Sequence, residues 1–157
     1  MSMPPGGMLP RELADRLDAL FRSDPHSAHL GALLIEWSLD HASVGCTIGD
    51  HHTNFLGGGH GGVVFSLADI AMSFAGSSDG RVAMAVQIDI SYMRGVRPGD
   101  HLVATATVTN RTRRFAHASV EVSAGDRLVA AATGVNYRTD EWHFGANAWP
   151  QSWRDAH

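Results

Sequence analysis

Residues 49–62 read GDHHTNFLGGGHGG, and residues 61–75, overlapping them, read GGVVFSLADIAMSFA. The first stretch is polar and rich in glycine, which predicts a loop whose backbone takes conformations closed to residues with a side chain. The second predicts a helix that is apolar almost all round. At about 100° per residue, Gly62, Ser66, Asp69 and Ser73 share one narrow stripe, while Val63, Val64, Phe65, Leu67, Ile70, Ala71 and Phe74 fill the rest. Such a helix is expected to be enclosed by other elements rather than to lie on a surface.

The flanking sequence supplies the enclosure. Downstream, Val82, Met84, Val86, Ile88, Ile90 and Tyr92 alternate and predict a long strand, closed by a turn at Arg97-Pro98-Gly99-Asp100. Three more strands are predicted at about 101–109, 115–123 and 127–138, joined by short turns. Upstream, Pro10 suits a first helical turn, and Leu9, Leu13, Leu17, Leu20 and Phe21 recur at helical spacing until Ser23-Asp24-Pro25. Two strands follow, at 32–41 and 43–48, the first with Leu33, Ile35, Trp37 and Leu39 expected on one side. Short connections favour neighbouring antiparallel strands, and a sheet of this size has one face that needs covering. The expected fold class is α+β, an antiparallel sheet wrapped around one long central helix. The expected organisation is a flexible lead-in at 1–9, a single domain at 10–138 and a C-terminal tail at 139–157 with no clear period.

Composition narrows the function. The chain of 157 residues has enough apolar material for a core, and its 12 basic residues against 16 acidic ones exclude a general nucleic-acid binder. All twelve basic residues are arginine, which removes Schiff-base chemistry and the lysine of a phosphate-binding loop. Cys46 is the single cysteine, so no internal disulfide forms and a reducing, cytoplasmic setting is expected. Residues 1–7 lack the pattern of a secretory signal, and no apolar run reaches the roughly 18 residues of a membrane span.

Asp69 is the only charge in the central helix, and burying an ionised carboxylate without a partner costs several kcal/mol. It is either held by structural hydrogen bonds or used chemically. The glycine-rich entry favours use. Free N–H groups at a helix N-terminus, at Gly61 or Gly62, can stabilise the oxyanion formed when a carbonyl is attacked. The carboxylate would then activate water or attack directly. Gly62 and Asp69 lie about 10 Å apart along one helix axis, too far for one small carbonyl to use both. Two such helices meeting antiparallel across a two-fold axis would bring the N-terminus of one to the Asp69 of the other.

Two rival patterns are weaker. Gly57, Gly59 and Gly62 match the spacing of a dinucleotide fingerprint, but the residues before them are polar and the later strands do not alternate with helices. His51, His52 and His60 lack metal-site spacing, so no metal is expected.

The stretch His52 to Gly62, followed by Ser66-Leu67-Ala68-Asp69-Ile70-Ala71, closely resembles the hotdog-fold acyl-CoA thioesterases of the phenylacetate-degradation type. So does Ile88-Asp89-Ile90-Ser91-Tyr92-Met93-Arg94 with the later Arg97-Pro98-Gly99-Asp100. The resemblance covers about residues 30–138. It implies paired subunits, as dimers or tetramers, and hydrolysis of a coenzyme A thioester to a carboxylic acid and free CoA, with no cofactor. It implies further that Asp69 is base or nucleophile, that the Gly61 amide polarises the thioester carbonyl, and that His60 and Asn54 orient the loop, substrate or water from the opposite subunit. The sequence departs from the family at Ala85, where some relatives carry a serine that positions water, at Gly95, where many have proline, and in its tryptophan-bearing tail.

A CoA substrate needs local positive charge. Arg94, Arg97, Arg111, Arg113 and Arg114 stand against one acid, Asp100, in that segment and are the expected nucleotide side. Gly62, Phe65 and Tyr92 complete the expected substrate contacts, with Phe74 and Met93 as further acyl-pocket candidates. A hydratase or dehydratase on the same fold, with His60 as base, and a non-catalytic acyl-CoA-binding module are the alternatives.

Overall fold

A computed structural model describes residues 8–157; the lead-in expected at 1–9 lies mostly outside them. The chain runs α1 (Arg11–Arg22), α2 (Pro25–Leu30), β1 (Leu33–Ser38), β2 (His41–Thr47), α3 (Gly61–Gly76), β3 (Arg81–Tyr92), β4 (His101–Arg111), β5 (Phe115–Ala124), β6 (Arg127–Trp142) and α4 (Gln151–Ala156). The six strands form one sheet in the order β1-β2-β4-β5-β6-β3, with every neighbouring pair antiparallel. The sheet curls around α3, as the apolar circumference of that helix demands.

Small residues make the wrap tight. Leu102, Ala104 and Ala106 of β4 and Ala116, Ala118, Val120 and Val122 of β5 are buried at alternate positions, the period of a strand with one covered face. On β6 a Cβ at Gly134 would collide with the Met72 sulfur of α3 and come within 2.9 Å of the Gln87 carbonyl. Glycine there permits the close approach of strand to helix.

Three details differ from the sequence reading. In β1 the buried residue is Leu34, while Leu33 and Ile35 are exposed. A bulge between Leu34 and Glu36 shifts the register, so simple alternation from Leu33 gave the wrong phase. Trp37, beyond the bulge, packs edge-on against Phe21 of α1 and donates its Nε1–H to Asp18 at 3.1 Å. Second, Asp24 does more than end α1: its carboxylate accepts the Ser27 N–H at 2.7 Å and starts α2, with Pro25 in the first turn.

Third, the tail is part of the core. Trp149 and Trp153 are buried; the Trp153 Nε1–H donates to the Asp79 carbonyl at 2.8 Å, and the Trp149 ring fills the space a Cβ on Gly80 would need. Beneath it the fully buried Asp79 pairs with Arg138 and, at 2.9 Å, with Arg111. Arg111 also donates to Asp40 and to the Gly76 carbonyl at the end of α3. A guanidinium there suits the negative end of the helix. Among the described residues no helix is long and apolar enough to cross a membrane.

Candidate active site

The N-terminal tip of α3 is built by its own entry loop. Asn54 accepts the Leu56 N–H at 2.9 Å and the Gly58 N–H at 3.3 Å on its side-chain oxygen, and its own N–H donates to the Gly58 carbonyl at 2.7 Å. This local closure is the ordinary work of an asparagine in a tight loop. Gly57 takes φ +80° within it, a region that glycine enters without cost. His60 is the N-cap: its Nδ1 accepts the Gly62 N–H at 2.8 Å. That bond assigns the ring proton to Nε2, which is left as a donor. The Gly61 N–H donates to no acceptor among the described residues, while the Gly61 carbonyl accepts the Tyr92 hydroxyl at 3.1 Å. Of the two amides named from the sequence, Gly62 is therefore occupied and Gly61 is open.

Asp69 lies two turns further along. It is half-buried, and its Oδ1 is enclosed without a hydrogen-bond partner among the described residues. Burial pushes its carboxyl pKa above the ordinary value; nearby His26 opposes this and Asp24 adds to it. Among the described residues no hydrogen bond to its side chain explains an acid at this place. The α3 positions that remain partly open beyond Gly61 are Gly62, Phe65, Ser66, Asp69 and Ser73, so the stripe read from the sequence is the strip of helix that the sheet leaves uncovered.

Two clefts flank the tip. One, of about 260 Å³, is lined by Gly61, Val64, Tyr92, Met93, Arg94 and Val96. The other, of about 240 Å³, is lined by His52, His60, Gly62 and Ser66 with Leu30. His52, which starts the stretch that carries the resemblance, is buried; its Nδ1 accepts the Gly49 N–H at 3.1 Å and its carbonyl accepts the His60 N–H at 2.7 Å. Among the described residues no three acidic, histidine or cysteine side chains gather to hold a metal ion.

The structure brings Gly61, Gly62, His60, Asn54, Tyr92 and Arg94 together at this tip. It does not bring the five arginines together. Arg94 donates to the Leu128 carbonyl at 2.8 Å, and the Arg97 N–H donates to Asp100, in the chain that follows β3. Arg111, Arg113 and Arg114 lie at the far end of α3, where Arg111 is engaged by Asp40 and Asp79 and the other two by Asp140. Within one protomer, Gly61 and Asp69 are also apart, by about 12 Å of helix rise.

Comparison with known proteins decides the family. Residues 56–131 match the thioesterase superfamily. The acyl-coenzyme A thioesterase PaaI of Escherichia coli is 31% identical over 121 residues, which cover 76% of this chain and 86% of the relative. The chain belongs to the thioesterase superfamily. The solved structure of E. coli PaaI superposes with a TM-score of 0.78 at 28% identity, covering 84% of this chain and 95% of that one. A mutant of the phenylacetic acid degradation protein PaaI from Thermus thermophilus follows with 0.72 at 32% identity, over 74% and 100% of the two chains. A Streptococcus mutans protein solved with bound acetyl CoA gives 0.66 at 26%, over 69% and 88%. This member of the superfamily is a PaaI-like thioester hydrolase of the hotdog fold.

Proposed function

We propose that the protein hydrolyses an acyl-CoA thioester at a site shared by two copies of the chain, with Asp69 of one facing the Gly61 tip of the other. The observation that carries the reading is the presence of two unsatisfied groups on one helix, the enclosed Asp69 oxygen on the uncovered stripe and the open Gly61 amide at the tip. Neither is explained by folding, and they lie too far apart on one helix to act on one carbonyl. β3 supports the two-copy arrangement: it is an edge strand of 12 residues with Met84 and Val86 exposed, and a long apolar edge calls for a partner.

In the proposed reaction the thioester oxygen accepts the Gly61 N–H. Asp69 takes a proton from water as the water oxygen bonds to the thioester carbon, or the carboxylate attacks that carbon itself. The tetrahedral oxyanion collapses, the C–S bond breaks, and the CoA sulfur leaves as thiolate and gains a proton; on the water route this yields the carboxylic acid directly, and on the direct route it leaves an anhydride between Asp69 and the acyl group, which water then cleaves to the carboxylic acid and the free Asp69 carboxylate. His60 and Asn54 hold the tip in shape, with the His60 Nε2–H available to the substrate or water. Arg94 lines the cleft beside the tip, and the partner's far-end arginines would approach the tip if the helices run antiparallel. The occupied Nδ1 of His60 speaks against a hydratase that uses this ring as its base. CoA thioesters and the unpaired Cys46 both fit a cytoplasmic enzyme.

The test is thiol release over aryl and aliphatic acyl-CoAs. Release of one thiol per carboxylic acid formed is expected; tight binding with no thiol from any of them, or water addition to enoyl-CoA in its place, would end this reading.

A further inference from the structure

The first turn of α3 opens on two glycines, Gly61 and Gly62. Glycine is a poor helix former and helix ends fray, so the local sequence alone leaves the direction of the Gly61 N–H loose. An oxyanion donor works only when it is already aimed before the reaction begins. The turn is held from outside, and the grip falls on one peptide group. The carbonyl of the Gly61–Gly62 peptide accepts the Tyr92 hydroxyl at 3.1 Å, and the N–H of the same peptide donates to His60 Nδ1 at 2.8 Å. The preceding peptide, which carries the open Gly61 N–H, is held at its other end, where the His60 carbonyl accepts the Val63 N–H at 3.0 Å. Peptide groups are planar, so fixing the planes on both sides of the Gly61 Cα fixes both torsions between them and with them the direction of that N–H.

His60 and Val63 belong to the tip itself. Tyr92 does not: it is the last residue of β3, paired with Ala130 of β6, and the next two N–H groups, of Met93 and Arg94, both donate to the Val129 carbonyl, at 2.8 and 3.1 Å. Its ring stands 3.4 Å from where a Cβ on Gly61 would lie, so ring contact and hydroxyl bond meet the same residue. Among the described residues this hydroxyl makes the one side-chain hydrogen bond from the sheet to the first turn of α3. The aim of a glycine amide is thereby referred to a strand held on its neighbour. Tyr92 is half-exposed, so taking its hydroxyl away leaves no buried group unpaired and stability has little stake in the bond.

We propose that Tyr92 is a positioning residue of the thioester site: its hydroxyl fixes the Gly61–Gly62 peptide and so aims the open Gly61 N–H at the thioester oxygen. The inference rests on the acyl-CoA thioesterase reading and deepens it. It gives Tyr92 a role through the backbone in place of the direct substrate contact that the sequence suggested.

The experiment measures thiol release from acyl-CoAs by the wild type, Tyr92→Phe, Gly61→Pro and the double variant. Tyr92→Phe keeps the ring and removes only the donor. Its kcat should fall about fivefold, the loss expected of one hydrogen bond, with KM and Tm held. In the Gly61→Pro background the N–H to be aimed is gone, so the same substitution should lower kcat by less than about twofold, because groups that act as a unit do not lose their effect twice. Wild-type kcat in Tyr92→Phe overturns the inference. So does an equal fall in both backgrounds, which would make the hydroxyl act apart from the amide, and so does a raised KM with kcat kept, which would make Tyr92 a substrate contact. Hydrogen exchange gives a measurement independent of turnover: the Gly62 N–H should exchange about fivefold faster in Tyr92→Phe, and unchanged protection overturns the clamp. Any of these failures with thiol release intact in the wild type refutes this inference alone, whereas no thiol release from any acyl-CoA refutes the thioesterase reading with it.

Discussion

Asp69→Asn separates a catalytic acid from a structural one because the two roles predict opposite changes in stability. The substitution keeps the shape of the side chain and removes its charge. If Asp69 is the base, thiol release should fall by about 10²–10⁴, the usual contribution of a positioned general base. Stability should rise. Burial raises the folded-state pKa of this carboxyl above its ordinary 3.8, so the native chain binds that proton more tightly than the unfolded chain does. The stability from this tighter binding is complete below pH 3.8, and is lost as pH rises through the raised folded value. At pH 7 the ionised group is a standing penalty, which asparagine removes. A gain of about 1 kcal/mol is typical for relieving one such site, and in a domain of this size it corresponds to about 2–4 °C in Tm. Thermal melts at pH 7 and below pH 3.8, with thiol-release assays on the same preparations, read both effects; the gain should be present in the first and absent in the second. The raised pKa also predicts an acid limb of kcat/KM above the range of an ordinary carboxylate. Full activity in the variant would refute the assignment of the base, and a lower Tm at pH 7 would show that the carboxylate accepts stabilising hydrogen bonds in the native state.

Gly61→Pro should remove the open amide without breaking α3: proline is tolerated at the first helical position, and His60 already sits at φ −72° and ψ 133°, where a residue before proline is comfortable. The loss expected for one oxyanion donor is about 10²–10³ in kcat, and an active variant would exclude that amide from the reaction. Mixing Gly61→Pro with Asp69→Asn chains by co-refolding should restore about a quarter of wild-type activity, since half the dimers are mixed and each holds one complete site in two; no recovery would place both groups in sites within one chain. Asp79→Ala should cost about 3–5 kcal/mol, because Arg138 and Arg111 are left as buried cations without their acid, and Tm should fall by roughly 6–20 °C. The same substitution at exposed Asp140, which also holds arginines, should leave the melt nearly unchanged.

The parts of this molecule legible from sequence are those that one short period dictates. The apolar circumference of α3 required a sheet around it, and the position of Asp69 on the 62–66–69–73 stripe was fixed by helical geometry alone. The parts that escaped depend on where distant segments return. No local signal in residues 139–157 shows that Trp149 will occupy the space that Gly80 leaves empty or that Trp153 will cap Asp79, because only tertiary packing gives those tryptophans a place. The β1 bulge is similar in kind: alternation specifies which residues share a face only while the register holds, and Ile35 is where it slips. The arginines mislead for a related reason, since residues 94–114 turn back along β4 and carry Arg94 and Arg111 to opposite ends of α3.

That division has a consequence for function. The tip at Gly61 and the acid at Asp69, the two groups proposed to react, lie within one continuous stretch of 16 residues, so that proposal can be read from local sequence. By contrast, a cleft of about 280 Å³ lined by Leu20, Phe21, Ser73, Phe74 and His143 is assembled from α1, α3 and the strap after β6, three segments separated by most of the chain. The loop and helix motif carries the resemblance to thioesterases within one local stretch, whereas a cleft built from three distant segments has no local pattern by which a sequence could show it.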